Sequence, residues 1–562
     1  MFKSTVRAGG LAAVLALGVA FSSTAFAQET LGDLIRAGQR DAVLAAITSP
    51  DLDVNVAEAD GSTPLLWATY KVDHDLVRAL LKAGAKANVT NRFGASPLTE
   101  AVKLGDADLV RMLLDGRADP DSANQDGQTA LMLASTVGSL PIAQLLISKG
   151  AKVNAVESFR GQTALMWAAA GNYPEIVDLL LSRRADVKVR AKYDDWPRQM
   201  TSEPRAQFRQ TGGLTALLYA TRSGCYRCVV SLVKAGADVN QPNPDGITPL
   251  INAIDNRGYD IAMFLLDNGA NPSTWDMTGR TPVYVAVDMN SYSGASGAGN
   301  GNFQGFGEPP GPPRPPNKAT ALDVANRLLG MGVDPNHELT RMRPNGNGRG
   351  RFADYMMRGG TGPVMIATLT YDDEAIALLM KHGAEVDAPN VFQITPLMAA
   401  AGMSGSARGG TGSAIGGGPA GGRQQVDVQA RAIKVMDLLL DGGANINARV
   451  VDSHTRTAKL IAYVQGRDHE GQTAIFSAAE AGWDRVVKHM IERGADPMVR
   501  DAAGKTALDF ARSPPPAGPG GAQGGGGPLA AASRAATVAL LEAAMKSGDA
   551  GSAAPQTTST AP

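Results

Sequence analysis

Apolar residues recur in short clusters at helical spacing along most of this chain, two clusters at a time, with polar, glycine-bearing turns between the pairs. The stretch DGSTPLLWATYKVDHDLVRALLKAGAKANVTNR, which starts at Asp60, is representative. Leu65, Leu66 and Ala68 share one helical face, and Leu76, Val77, Leu80 and Leu81 share a second. Aspartate and glycine make the turn before each pair, where glycine takes a backbone angle other residues avoid. Thr63 is placed to cap the first helix, Pro64 occupies the first helical position, and Gly84 ends the second helix. One such pair cannot bury its own apolar face, so the pattern predicts stacked copies.

The copies are present. FGASPLTEAV begins at Phe93, DGQTALMLAS at Asp126, GLTALLYATRS at Gly213 and DGITPLINAI at Asp245. The capping threonines fall at Thr63, Thr129, Thr163, Thr215, Thr248, Thr281, Thr395, Thr473 and Thr506, with Ser96 standing in once and a degenerate copy through Gly362, Pro363 and Val364; the undisturbed spacing is 33. Turn, T-P-L triplet, V-x-x-L-L and G-A-D-V-N recur in that order, and in this the chain resembles the ankyrin repeat. The resemblance runs from about Asp60 to about Arg512, after a poorer copy over Leu31 to Asn55 that looks like a cap. It implies an all-α repeat, an ankyrin-type helix-turn-helix solenoid with β-hairpin fingers and about eleven or twelve units. One departure stands out. The histidine that usually follows T-P-L is replaced by Leu66, Thr99, Met132, Met166, Leu218 and Ile251, which predicts looser turns.

Two kinds of insertion break the spacing. Gly/Pro-rich segments at 289–318, 403–425 and 513–531 split helix pairs and read as flexible loops. Segments at 189–211, 337–359 and 449–468 extend the fingers instead. The resulting division is a capping repeat over 28–59, repeats over 60–288, 319–402 and 426–512, a capping helix over 532–546 and a low-complexity tail over 547–562. In ankyrin-like stacks the fingers and first helices line the binding face, so the resemblance puts the finger insertions on the recognition side. Their residues suit that role. The first holds Arg190, Lys192, Arg198, Arg205 and Arg209 with Tyr193, Trp196 and Phe208; the second holds Arg341, Arg343, Arg349, Arg351 and Arg358 with Phe352 and Tyr355. Arginine and large aromatics are enriched at interface hot spots. The candidate binding residues are therefore Trp196, Arg198, Arg205, Phe208, Arg341, Arg343, Arg351, Phe352 and Tyr355. The plainer alternative folds the aromatics back on the stack and leaves the arginines in water.

Composition narrows the rest. The 562 residues carry 53 Lys plus Arg against 54 Asp plus Glu, a net charge of -1 that gives no general case for nucleic acid or membrane binding. At the N-terminus, Lys3 and Arg7 precede an apolar run, Leu11 to Phe21, too short to span a bilayer, and Ala25 to Ala27 has the pattern of a cleavage site. This reads as a cleaved signal peptide over 1–27, of a bacterial kind, and predicts a periplasmic or secreted protein; a membrane anchor is the alternative. Export favours an acidic protein or an anionic glycan over nucleic acid as partner for the basic fingers.

Catalytic chemistry is hard to find. The six histidines (His74, His337, His382, His454, His469 and His489) form no metal-ligand spacing, and neither G-x-S-x-G nor H-E-x-x-H occurs. No cofactor is expected. The only cysteines, Cys225 and Cys228, have the C-x-x-C spacing of redox proteins and zinc knuckles. The repeat register places Cys225 in the turn before a second helix, as an accessible residue, and Cys228 at a packed position. Zinc lacks a second ligand pair, and the βαβ context of a thioredoxin is missing. In an oxidising compartment the pair reads as a structural disulfide. The reading is a non-enzymatic protein-interaction scaffold; a thiol–disulfide redox protein using Cys225 and Cys228 and a structural cell-envelope protein are the alternatives.

Overall fold

Helices occur in pairs, and their starts coincide with the capping residues. The computed structural model describes residues 30–49, 51–193, 212–295, 316–339, 360–390, 393–403, 427–451, 469–513 and 528–551. Two compact units result, one ending at Ser122 and the other beginning at Ala123.

The first unit stacks three helix pairs, Leu31–Arg36 with Arg40–Ala46, Pro64–Tyr70 with His74–Lys82, and Pro97–Lys103 with Ala107–Asp115. The second unit repeats the arrangement, from Ala130–Val137 with Leu140–Ser148 to Ala507–Arg512 with Pro528–Gly551. First helices pack on first helices and second on second: Ala164–Ala170 sits between Ala130–Val137 and Ala216–Ser223. Both units are thus all-α repeat stacks. The apolar stripe explains the packing. Leu76, Val77 and Leu80 are all buried, as are their counterparts Leu109, Val110 and Leu113. Full burial of such a side chain contributes roughly 1.5–3 kcal/mol, which a lone pair of short helices could not collect.

Local chemistry sets the ends. Thr63 Oγ1 accepts the Leu66 N–H at 3.3 Å, and Thr129, Thr163, Thr215 and Thr248 make the same bond in their own copies. In the degenerate copy Gly362 takes the cap position without a side-chain bond, and Pro363 starts the helix. A second device joins neighbouring copies. The Asn240 carboxamide donates to the Gly269 carbonyl at 3.0 Å and accepts the Asn271 N–H at 2.7 Å. Asn55, Asn88, Asn154, Asn336 and Asn447 clip their neighbours in the same way.

Some expectations change. No β-strand forms among the described residues; Ala123 with Thr129, Arg190 with Thr215 and Tyr193 with Gly212 make isolated antiparallel bridges. An uninterrupted finger closes so tightly that no length remains for a ladder. The helix Pro282–Ala295 runs into the segment read as a loop from residue 289, because no proline stops it before Pro309. The last helix spans Pro528–Gly551, beyond both ends of the 532–546 reading, with Pro528 at its start. Among the described residues no helix is long and apolar enough to cross a membrane.

The caps predict a measurable local effect. Thr248→Ala should cost about 1 kcal/mol of protection at the Ile251 amide in native-state hydrogen exchange, and Thr248→Ser should restore it. Unchanged exchange in the alanine variant would show that packing alone holds this helix end.

Candidate functional site

At the tip of each uninterrupted finger the chain reverses over a few residues. Asn243 N–H donates to the Ile247 carbonyl and Gly246 N–H returns to the Asn243 carbonyl, each at 3.0 Å. The same two bonds join Glu58 with Ser62 and Gly61, Asn91 with Ala95 and Gly94, and Asp501 with Lys505 and Gly504. Glycine is favoured at the fourth place because φ is positive there, +77° at Gly246, although Gln393 holds the same place in its own turn. The first residue organises the turn with its side chain. Asn243 Oδ1 accepts the N–H groups of Asp245 and Ile247, at 3.0 and 2.9 Å. Asn91, Asn124, Asp276 and Asp501 do the same. Turns lacking the family's usual histidine are therefore not left loose; these carboxamides and carboxylates close them.

The three finger insertions leave from this position. Ala191 N–H donates to the Leu214 carbonyl, Leu339 N–H to Thr361 and Val450 N–H to Gln472, at 3.0, 3.2 and 2.9 Å. Gly360 and Gly471 N–H return to the Leu339 and Val450 carbonyls, and Gly213 N–H to that of Lys192, one residue past Ala191. The stem of the short turn is kept while its tip is replaced by residues 194–211, 340–359 and 452–468. At these three places the turn-organising side chain is apolar and buried: Ala191, Leu339 and Val450 are 4%, 2% and 1% exposed. With no tight turn to close, a polar group there would lack donors. The candidate residues Trp196, Arg198, Arg205, Phe208, Arg341, Arg343, Arg351, Phe352 and Tyr355 lie outside the described residues.

What the described fingers display was missed by sequence reasoning, Tyr193 apart. In the first unit Phe93 is 62% exposed, with the Arg92 guanidinium 4.8 Å from its ring centroid. In the second unit Phe159 is 67% exposed with Arg160 at 5.5 Å, Tyr193 is 58% exposed beside Lys192, and Trp275 is 60% exposed. Phe93 and Phe159 sit one or two places before the turn glycine, where packing makes no demand for an aromatic; that was the available signal. Trp275 stacks on His337 at 5.7 Å, at the root of the second insertion.

Behind Trp275 lies a buried charge cluster. Arg280 donates through Nε to Asp276 at 2.7 Å and through both terminal nitrogens to Asp255, at 3.0 and 2.9 Å. Burial would lower the Arg280 pKa, but Asp255 and Asp276 raise it further, so the guanidinium stays charged. The surrounding protein pushes the Asp255 carboxyl up against the pull of Arg280, helped by Asp288 and Asp276, although its side chain keeps 27% exposure. One cation thus ties the end of the helix Pro249–Asp255 to the next finger.

The cysteines form a disulfide, with Cα atoms 5.2 Å apart. Cys225 caps the helix Tyr226–Lys234, its sulfur accepting the Cys228 N–H at 3.1 Å. The expectation of an accessible Cys225 is corrected, since it is 2% exposed and Cys228 is 0%. The sulfur turns inward under the turn to reach both its partner and the helix amide. Elsewhere His74 meets Asp106 at 2.7 Å and His489 meets Asp437 at 2.9 Å, both as links between neighbouring copies. Among the described residues no group of three or more His, Cys, Asp or Glu could hold a metal.

The stems predict that an insertion can be excised. Replacing residues 340–359 by Pro-Asp together with Leu339→Asn should rebuild the short turn and preserve the helical circular dichroism. The same excision with Leu339 retained should unfold at lower denaturant, by about 1–2 kcal/mol for the missing turn bonds. Equal midpoints would mean that the asparagine does not organise the turn.

Comparison with known families agrees with this architecture. The family described as Ankyrin repeats (3 copies) matches residues 31–124, 100–191 and 217–296, and the single Ankyrin repeat matches 470–502. No curated protein matches the chain. Stacked helix pairs, threonine caps and glycine turns recur in the same register, and the chain belongs to the ankyrin-repeat family.

Proposed function

We propose that this protein is an exported, non-enzymatic scaffold of the bacterial envelope or exterior that binds another protein along its finger edge. Ankyrin repeats are generally protein-interaction modules, which sets the class. The observation that carries the finer reading is the display of Phe159, Tyr193 and Trp275 on the fingers, each more than half exposed. Large aromatics left in water cost hydration free energy, and beside arginine they have the composition of a binding hot spot. The insertions continue that chemistry from the same edge. Trp196, Arg198, Arg205 and Phe208 form one contact group, and Arg341, Arg343, Arg351, Phe352 and Tyr355 another, facing a partner with an acidic surface. Residues 1–27 direct export to the periplasm or beyond. The buried Cys225–Cys228 pair offers no thiol surface to a substrate and serves as a staple at a helix start.

A photo-crosslinker at Tyr355 in intact cells tests this. The expected result is one dominant protein adduct that disappears when Arg341, Arg343 and Arg351 are changed together to Glu, with unchanged far-ultraviolet circular dichroism. Adducts spread over abundant envelope proteins, or an adduct indifferent to the charge reversal, would contradict it.

A further inference from the structure

Two neighbouring fingers of the second unit combine aromatic rings, cations and a defined pitch. Phe159 and Arg160 lie on one, Arg190, Lys192 and Tyr193 on the next. Within residues 156–162 and 188–193 the one acidic side chain is Glu157. It is 3% exposed and turned inward, accepting the N–H groups of Phe159, Arg160 and Gln162. The outward charge of the described side chains is therefore positive; Asp194 and Asp195, next in the chain, lie outside them. Two of the cations are held in place by carbonyl groups: Lys192 Nζ donates to Ser158, and Arg190 donates to Pro242 of the following finger. No carboxylate among the described residues pairs with Arg160, Arg190 or Lys192. Cations positioned in advance lose less freedom when a ligand arrives.

The pitch follows from backbone bonding. Each finger has two antiparallel segments, joined here by Ala191 N–H to Leu214 and Gly213 N–H to Lys192, both 3.0 Å. The next bond, Lys192 N–H to the Arg160 carbonyl at 2.7 Å, joins this finger to its neighbour. Paired segments lie about 4.8 Å apart, so successive fingers repeat at about 10 Å. A polyproline II helix advances about 3.1 Å per residue with three residues per turn, returning a side chain to the same face every ~9 Å. A β-strand covers a similar distance in three residues but puts the third side chain on the opposite face. Exposed aromatic rings are also the surfaces that proline-rich segments dock on.

We infer that this pair of fingers binds a polyproline II segment of an acidic partner protein, with a carboxylate at every third residue. Prolines lie on Phe159 and Tyr193, and successive carboxylates meet Arg160 and Lys192. This deepens the protein-partner reading above and rests on it. The chain's own Pro-Pro-x run, Glu308 to Pro316, has the right period, but its Arg314 meets the cations with the wrong sign.

The test uses the purified full-length chain and labelled peptides in fluorescence polarisation. Repeated Pro-Pro-Glu triplets should bind at least about tenfold more tightly than a peptide of identical composition with its glutamates clustered. Arg160→Glu and Phe159→Ala should each weaken that binding by about tenfold, with Lys192→Glu as an independent charge reversal. Raised salt should weaken it too. Equal binding of both peptides, indifference to all three variants, or no binding would overturn the inference. So would preference for a helical peptide with glutamate at every seventh residue, or for the peptide of residues 308–316, which would make a second copy the occupant. If the peptides fail while the Tyr355 crosslink persists, the finger edge binds a folded surface and only this inference falls.

Discussion

Backbone hydrogen bonds across the turn or stem of each described finger decide what this protein can display. They fix where the chain turns, and with one further bond in several places they tie a finger to its neighbour, as in Met277 N–H to the Asp245 carbonyl. The helix pairs behind supply the rigidity, since their apolar faces are buried only by the next copy. Whatever occupies the tip is thereby held at a regular interval on a rigid support. Removal of the turn-closing side chain does not loosen the stem, as Leu339 and Val450 show; it accompanies the opening of the tip to a longer segment.

This division of labour separates two kinds of added sequence. Segments with arginine and aromatic residues enter at the finger, between one pair and the next. The Gly/Pro-rich segments enter within a pair, after Pro282–Ala295, after the kinked turn Ala399–Met403 and after Ala507–Arg512. The two helices of a pair run antiparallel, so the two kinds of insertion emerge at opposite ends. Charge follows the same logic. Arg280 is buried with two carboxylates and works as an internal tie, whereas Arg92 and Arg160 lie against exposed rings.

The helices, caps and turns were legible in the sequence because each depends on neighbours in the chain. A threonine that caps a helix does so from three residues away, and a glycine with positive φ needs no distant partner. The finger insertions were legible as breaks in spacing, and the apolar Ala191, Leu339 and Val450 mark their roots to anyone who knows what Asn243 does in an intact turn. Other features depend on contacts between copies and could not be read locally. Cys225 falls in a turn by register but is buried by what its sulfur bonds to. Phe159 and Trp275 look like core residues by type; the place of Phe159 beside the turn glycine hinted otherwise, and for Trp275 only the packing shows it. Helix ends were misplaced where composition suggested a loop yet nothing stopped the helix.

The central claim is that recognition occurs along the finger edge. Hydroxyl-radical footprinting of the full chain, alone and with the protein captured at Tyr355, tests it most directly. The account predicts protection of Phe159, Tyr193 and Trp275 on binding, while Tyr226, an exposed aromatic at the start of a second helix, keeps its reactivity. Protection of Tyr226 with the three finger aromatics unchanged would place the partner on the other side of the stack and contradict the account.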